Sequence, residues 1–308
     1  MILRTSLLIL ACLFLASCDN GPSPEQLAKE RLMKMQHQKE IIEWRKDRIA
    51  KLTTPDGWLS LVGMHWLPDN GIARVGSGEA NGTRLAVGPS KLGLIKVDSG
   101  QVWFEPEYGT SVTIDGVPNK GRVKLTSDAL INPTQVGFEG GQASFIVIER
   151  GGKLALRVRN SQAPALINFN GLDYFDIDRD YRFEAKFIPH EAGRTLEVIN
   201  ILGMVEPMMN PGVVEFTKDE KTYRLEALDE GDHRLFLVFA DLTSGHESYP
   251  AGRFLYAEYP DASGMTEVDF NKAYNPPCAF NAYSTCPMPP ENNRLDIAIN
   301  AGEKKPSR

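Results

Sequence analysis

The chain has 308 residues, of which 24% are charged and 42% hydrophobic, and it carries a formal net charge of -6. This length suits one large or two medium domains, and the composition is ordinary for a globular protein. The mildly acidic balance contains no basic run or stripe, which argues against nucleic acid as a partner.

The first residues are typical of a targeting segment. Arg4 precedes an apolar run from Leu7 to Leu15, which is too short to span a bilayer and indicates a signal peptide. The run ends in Leu15-Ala16-Ser17-Cys18, which resembles the bacterial lipobox. The resemblance implies that residues 1–17 are removed, that Cys18 is acylated with palmitate or a similar chain, and that the lipid makes the membrane a partner.

The residue after the lipobox indicates which membrane would hold the lipoprotein. Asp19 resembles the inner-membrane retention signal of enterobacterial lipoproteins. We therefore expect a lipid-anchored, periplasm-facing protein of the bacterial cell envelope, held at the inner membrane if Asp19 acts as that signal. An ordinary signal peptide with a chance cysteine is the alternative.

A helix is predicted from Pro24 to Leu52. Ser23 is a suitable N-cap, Pro24 stands at the first helical position and Gln26 at the third, which is the pattern of a capping box. Mixed charges on its polar face favour an amphipathic helix packed on the body over one lying on a membrane. Residues 18–52 are thus interpreted as a tether and an amphipathic helix. Apolar residues recur along it at helical spacing, at Leu27, Met35, Ile41, Ile42, Trp44, Ile49 and Leu52.

From Gly71 onward the pattern becomes β. Short apolar runs alternate with turn residues at intervals of about 8–12 residues, which is typical of a sandwich or barrel. We predict a β-sandwich domain over residues 53–165. Part of it resembles a forkhead-associated domain, but Ser77 stands where such domains carry the arginine that binds phosphate. The resemblance therefore implies the fold and not phosphopeptide binding.

A second antiparallel β domain is predicted over residues 166–304. Residues 181–187 alternate strictly between apolar and polar side chains, and further strand patterns follow. The domain ends in the stretch 266–304, which is rich in proline and cannot form a regular helix or a central strand. We expect this stretch to close the domain as a loop that packs on the strands. The predicted fold class is therefore mainly β, with an N-terminal helix.

The same C-terminal stretch holds the two cysteines of the predicted mature chain, Cys278 and Cys286. In an oxidising compartment two thiols form a disulfide more often than a metal site, and seven intervening residues are not a usual zinc spacing. We predict a disulfide worth about 2–3 kcal/mol. No glycine-rich phosphate loop is present, so neither a metal nor another cofactor is predicted.

Two segments, residues 234–255 and 269–304, carry a family resemblance. Residues 56–67 and 149–157 fit the same pattern. Together these motifs resemble the bacterial and archaeal domain of unknown function DUF1684. The resemblance implies no particular activity.

Polar side chains crowd the two segments that carry this resemblance. Their carboxylates and amides could form an oxygen-rich cation site or an acid–base pair, while turn hydrogen bonds and a structural ion pair are the alternatives. The candidate ligand-binding residues are Asp241, Glu247, Arg253, Asp269, Asn271, Tyr274 and Asn275.

Three classes of function remain open. The first is binding of a small molecule, glycan or peptide in a cleft under the C-terminal loop. The second is a cofactor-independent hydrolase that uses Asp and Glu carboxylates, and the third is a structural envelope protein without a pocket. A concave pocket would favour the first two, and two carboxylates facing each other across it would favour a hydrolase.

Overall fold

The computed structural model describes residues 22–307, so the predicted signal peptide, Cys18 and Asp19 lie outside the described residues. The predicted mainly β class is confirmed: one long helix, α1 (Pro24–Leu52), precedes several antiparallel sheets. Of the helices in the described range, none has both the length and the hydropathy of a membrane span.

Helix α1 begins as the sequence predicts. The Ser23 side chain accepts a hydrogen bond from the Gln26 N–H at 3.2 Å, and the Gln26 side chain accepts one from the Ser23 N–H at 2.7 Å. Its burial differs from the predicted stripe, because residues 24–36 are all exposed and Leu27, Met35 and Ile42 face solvent. The helix contacts the body only through its second half.

The first β region is a two-sheet sandwich. Its sheets have the strand orders β1-β11-β10-β9-β6-β7 and β3-β2-β4-β5-β8. Phe104 of one sheet meets Phe145 of the other edge to face, with ring centroids 5.6 Å apart, inside a shared apolar core. The predicted sandwich is therefore present. The strands are β1 (Leu61–Trp66), β2 (Gly71–Gly76), β3 (Thr83–Arg84), β4 (Gly93–Asp98), β5 (Gln101–Pro106), β6 (Val112–Ile114), β7 (Val117–Asn119), β8 (Val123–Leu125), β9 (Val136–Phe138), β10 (Ala143–Arg150) and β11 (Lys153–Asn160).

The second β region is one antiparallel sheet in the order β17-β16-β15-β14-β12-β18, with β13 paired to β14. The sheet curls into a nearly closed barrel. Phenylalanine rings fill its interior, and Phe183 and Phe216 lie 4.7 Å apart between ring centroids. A short helix, α2 (Pro164–Ile167), precedes the strands β12 (Arg182–Pro189), β13 (Thr195–Ile199), β14 (Val205–Lys218), β15 (Lys221–Asp229), β16 (Arg234–Phe239), β17 (Arg253–Glu258) and β18 (Met265–Asp269).

The C-terminal segment, residues 270–304, contains three short 3₁₀ turns joined by irregular chain. Asn293 anchors it to the barrel: its Oδ1 accepts from the Glu226 N–H at 2.7 Å, and its Nδ2 donates to the carbonyls of Glu226 and Val238 at 2.9 Å each. Asn293 is fully buried, so these bonds replace the water that the strand groups would otherwise need. The segment therefore packs on the strands as predicted, but the predicted loop began too early, because residues 266–269 belong to strand β18 and pair with β12.

Candidate ligand-binding site

A cavity of about 390 Å³ lies where the sandwich, the barrel, helix α1 and the C-terminal segment meet. We call it the inter-region cavity. Its volume falls within the range of about 300–1,000 Å³ that is usual for small-molecule sites. It is lined by Arg48, Leu52, Trp58, Arg150, Arg157, Val198, Asn200, Glu206, Met208, Glu230, Phe236, Phe254, Tyr256, Tyr274, Pro277, Phe280, Ser284, Thr285, Cys286 and Pro287.

Hydrogen bonds join the two β regions around this cavity. The Gly151 N–H, in the turn between β10 and β11, donates to Glu206 Oε1 at 2.8 Å. Asn281 of the C-terminal segment donates through Nδ2 to the Trp58 carbonyl at 3.0 Å. These bonds fix the sandwich against the barrel and so set the shape of the cavity.

The barrel contributes an aromatic wall. Tyr256 stacks on Phe236 with ring centroids 5.0 Å apart and on Tyr274 at 6.3 Å, and Phe254 meets Phe236 edge to face at 4.9 Å. Burial raises the pKa of both tyrosines, so their phenols stay protonated at physiological pH. The guanidinium carbons of Arg48 and Arg234 lie 4.5 and 4.0 Å from the ring centroids of Tyr274 and Tyr256, so the wall offers a ligand apolar surface to pack on rather than free ring faces.

Two of the three arginines that line the cavity have carboxylate partners. Arg48 Nε donates to Glu303 Oε1 at 2.8 Å, and its Nη2 donates to the Asn275 carbonyl at 3.0 Å. Arg150 binds Asp128 through two parallel hydrogen bonds of 3.0 and 2.8 Å. Their charges are thus compensated within the protein.

Arg157 differs from both. On β11 its neighbours Leu156 and Val158 point into the sandwich core, so the alternation of the strand turns Arg157 to the opposite face, towards the cavity. Its side chain is 5% exposed, and the carboxylate of Asp128 comes no closer than 4.0 Å. Its guanidinium lies over the Trp58 ring at 5.2 Å. Desolvation lowers the pKa of Arg157 to about 10, so it still carries its charge at neutral pH.

The C-terminal segment brings Cys286 to the cavity, with Cys278 beside it. The Cys278 N–H donates to Cys286 Sγ at 3.2 Å, and both residues are free thiols in the structure. The hydrogen bond from the Cys278 thiol lowers the pKa of Cys286, while the same interaction and burial raise the pKa of Cys278. The predicted disulfide is therefore not present, although the two residues are neighbours.

Of the seven predicted ligand-binding residues, only Tyr274 lines the inter-region cavity. Arg253 and Asp241 form a fully buried ion pair, with Nη2 and Oδ2 at 2.7 Å. Arg253 also donates to the carbonyls of Ile299, at 2.9 Å, and Ala301. This pair ties the C-terminal segment to β17.

Asp269 and Asn271 form a second buried group beneath helix α1. Asp269 Oδ1 accepts from the N–H of Asn271 at 3.0 Å and from its Nδ2 at 2.8 Å. Asp269 Oδ2 lies 2.7 Å from His37 Nε2, and His37 is one of the three buried residues of the helix. This contact explains how the second half of α1 docks on the barrel.

The last two predicted residues also lie outside the inter-region cavity. Asn275 is fully buried and its N–H donates to Glu303 Oε2 at 2.7 Å. Glu247 is exposed and lies in a separate surface depression with Lys304. The predicted acids do not converge, and within residues 22–307 no three His, Cys, Asp or Glu side chains group together as a metal site.

The sequence reasoning missed Arg157 and Asn200. Arg157 could have been found from its position inside the apolar run 154–158. A charge on a buried strand is costly unless a partner or a ligand compensates it. For Asn200 no signal was available, because asparagine in a turn is ordinary.

The fold is that of a mainly β protein in which a sandwich and a barrel enclose a cavity. By sequence the chain belongs to the family of proteins of unknown function DUF1684, whose family model matches residues 167–304. The match spans the barrel and the C-terminal segment, and the predicted motifs at 56–67 and 149–157 lie before it.

Among solved structures, the chain is similar to an uncharacterized protein of Haloarcula marismortui determined by solution NMR. The two are 35% identical over 45% of this chain and 78% of that one, with a TM-score of 0.38. No functionally curated protein matches the chain.

Proposed function

We propose that the protein is a lipid-anchored envelope protein that binds a small molecule in the inter-region cavity. The observation that carries this proposal is the composition of the cavity, which combines a wall of stacked aromatic rings with polar side chains from the sandwich. Ligand sites in proteins typically have this combination of apolar surface and a few placed polar groups. The volume of about 390 Å³ favours a small molecule over a glycan or a peptide.

The same geometry favours binding over hydrolysis. Asp241 and Asp269 are the two buried acids among the three considered for a cation site or an acid–base pair. They do not line this cavity and are bound to Arg253 and His37, respectively. Of the two acids that do line it, Glu206 accepts the Gly151 N–H and Glu230 accepts the Tyr256 hydroxyl. Both acids that line the cavity therefore accept hydrogen bonds from protein donors, which favours binding over a glycosidase-type role for this pair.

The proposal is tested by blocking the cavity. Met208 lines it, whereas Met209, the next residue on β14, is 47% exposed and points to the other face of the strand. A fragment library screened by ligand-observed NMR should give hits that bind the wild type and Met209→Trp but not Met208→Trp. Hits that bind all three proteins equally, or a library without hits, would contradict binding in this cavity.

The anchor is tested separately, because Cys18 lies outside the described residues. Metabolic labelling with palmitate should label the wild type, and membrane fractionation should recover it with the membranes. Cys18→Ala should lose the label and should be recovered as an unprocessed or soluble form. Equal membrane recovery together with an unlabelled wild type would contradict the lipobox prediction.

A further inference from the structure

Two side chains that line the inter-region cavity carry donors without a hydrogen-bond partner among the described residues. Within residues 22–307, the Arg157 side chain makes no hydrogen bond, and its Nε is completely covered. Asp128, the nearest carboxylate, already accepts two hydrogen bonds from Arg150. Arg157 is 4% exposed, so water compensates little of its charge.

The second donor is the amide of Asn200, which is also 4% exposed. Its Oδ1 accepts from the N–H groups of Leu202 at 2.9 Å and Met204 at 3.1 Å, in the turn between β13 and β14. These two N–H donors fix which side-chain atom is the oxygen and leave Nδ2 facing away from the turn. Among the described residues, Nδ2 has no acceptor.

Unsatisfied buried donors are uncommon in folded proteins and are costly, above all when one of them is charged. Both of these donors line the same cavity, and one belongs to the sandwich and the other to the barrel. Acceptor groups of a ligand in this cavity would supply the partners that these two donors lack. The planar guanidinium suits a group with two or more anionic oxygens.

We infer that the ligand carries a carboxylate or phosphate group that binds Arg157 and Asn200, and an apolar part that packs against the aromatic wall of the cavity. This inference rests on the proposed function and names the chemical class of its ligand. Glu206 and Glu230, which also line the cavity, are already hydrogen-bonded to protein groups. Among the charged side chains that line the cavity, Arg157 is therefore the one without a hydrogen bond to any described residue.

A competing partner for Arg157 is the Cys286 thiolate, whose pKa the arginine also helps to lower. Two features argue against it. The structure contains no hydrogen bond between the two side chains within the described range, and oxidation of the cysteine pair would remove the thiolate while leaving Arg157 unpaired. An anionic ligand satisfies the arginine in either redox state.

The inference is tested with three matched probes: 2-naphthoate, 2-naphthyl phosphate and the neutral 2-naphthamide. Isothermal titration calorimetry of the wild type should show that one or both anions bind about tenfold to a hundredfold more tightly than the amide, as expected for charged hydrogen bonds. Whichever anion binds more tightly identifies the headgroup.

Three variants locate the binding. Arg157→Gln should reduce anion affinity by about tenfold or more and leave naphthamide unchanged. Arg159→Gln is the matched control, because Arg159 lies two residues along the same strand and does not line the cavity. Asn200→Asp keeps the oxygen that caps the turn but replaces the donor by a negative charge, and it should abolish anion binding.

The outcomes separate this inference from the proposed function. If the amide binds as tightly as the anions, or if Arg157→Gln and Arg159→Gln behave alike, the inference is wrong while the cavity still binds ligands. If no naphthyl probe binds at millimolar concentration although Met208-dependent fragments exist, the inference is also wrong and the function stands. If fragments fail as well, both are wrong.

Discussion

Arg253 and Arg157 are both buried arginines, one under the C-terminal segment and the other in the wall of the inter-region cavity. Arg253 has a carboxylate at 2.7 Å and backbone carbonyls around it, so its charge is matched inside the protein. Arg157 has a carboxylate only at 4.0 Å and no hydrogen bond among the described residues. Burial alone therefore does not distinguish a structural charge from a functional one, whereas the presence or absence of partners does.

The comparison extends beyond the two arginines. Elsewhere between the barrel and the C-terminal segment, the buried polar groups Asn293 and Asp269 bind several partners each, and they hold the segment to the barrel. In the cavity, Asn200 satisfies the turn with its oxygen and leaves its nitrogen unbonded. The contacts between the C-terminal segment and the barrel thus stabilise the fold, whereas the cavity keeps unbonded donors at a cost in stability.

The largest expected effect follows from breaking the partnered region. Arg253→Ala leaves Asp241 as an unpaired buried carboxylate and removes bonds to the C-terminal segment, so we expect the free energy of unfolding to fall by about 3–5 kcal/mol. Urea denaturation measures it. Arg182→Ala is the control, because the Arg182–Glu267 pair is partly exposed, and it should cost less than about 1 kcal/mol. Similar small losses for both variants would contradict a structural role for Arg253.

Arg157→Met should raise the free energy of unfolding, in contrast to Arg253→Ala. Burial lowers the pKa of Arg157 from 12.5 to about 10, so the folded protein binds this proton less tightly than the unfolded chain does. The charge therefore lowers stability at every pH below about 10, and the penalty fades as the pH rises from there towards 12.5. This difference in pKa corresponds to roughly 3 kcal/mol, which is the upper limit of the expected gain in the free energy of unfolding.

Thermal melts of Arg157→Met without ligand at pH 7 and pH 10.5 provide the measurement. The variant should melt above the wild type at pH 7, and the gap should narrow at pH 10.5. A variant that melts several degrees below the wild type would show that Arg157 has a structural role and would remove the contrast with Arg253.

Much of the fold could be predicted from the sequence, because it depends on local patterns. The start of α1 is specified by hydrogen bonds within one turn, which involve Ser23 and Gln26. The alternation of apolar and polar residues over 181–187 matches the buried and exposed faces of strand β12. The buried stripe of α1 was predicted less well. Leu27 and Met35 have helical spacing but face solvent, since spacing alone does not show how far a body extends along a helix.

The site was harder to predict because its residues are distant in sequence. The prediction relied on stretches of sequence that are rich in polar residues. This criterion chose Asp241, Arg253 and Asp269, which are already bonded to other side chains in the fold. Arg157 is the one charged residue in an apolar run, and it lines the same cavity as Asn200 because the sandwich and the barrel pack together. Which buried groups have partners is a property of the three-dimensional arrangement.

The smallest expected effect concerns the cysteine pair, of which Cys286 lines the cavity, because oxidation would add a constraint that the structure with free thiols lacks. Cys278 and Cys286 are neighbours, and a bond between them would close a short loop and raise the free energy of unfolding by about 2–3 kcal/mol. Mass spectrometry of a non-reduced digest of protein purified without reductant should show the linked peptide. Urea denaturation with and without reductant should show the difference in the wild type but not in Cys286→Ser. If both thiols of the native protein can be alkylated, the bond is refuted, and Cys286 then lines the cavity as a reduced thiol.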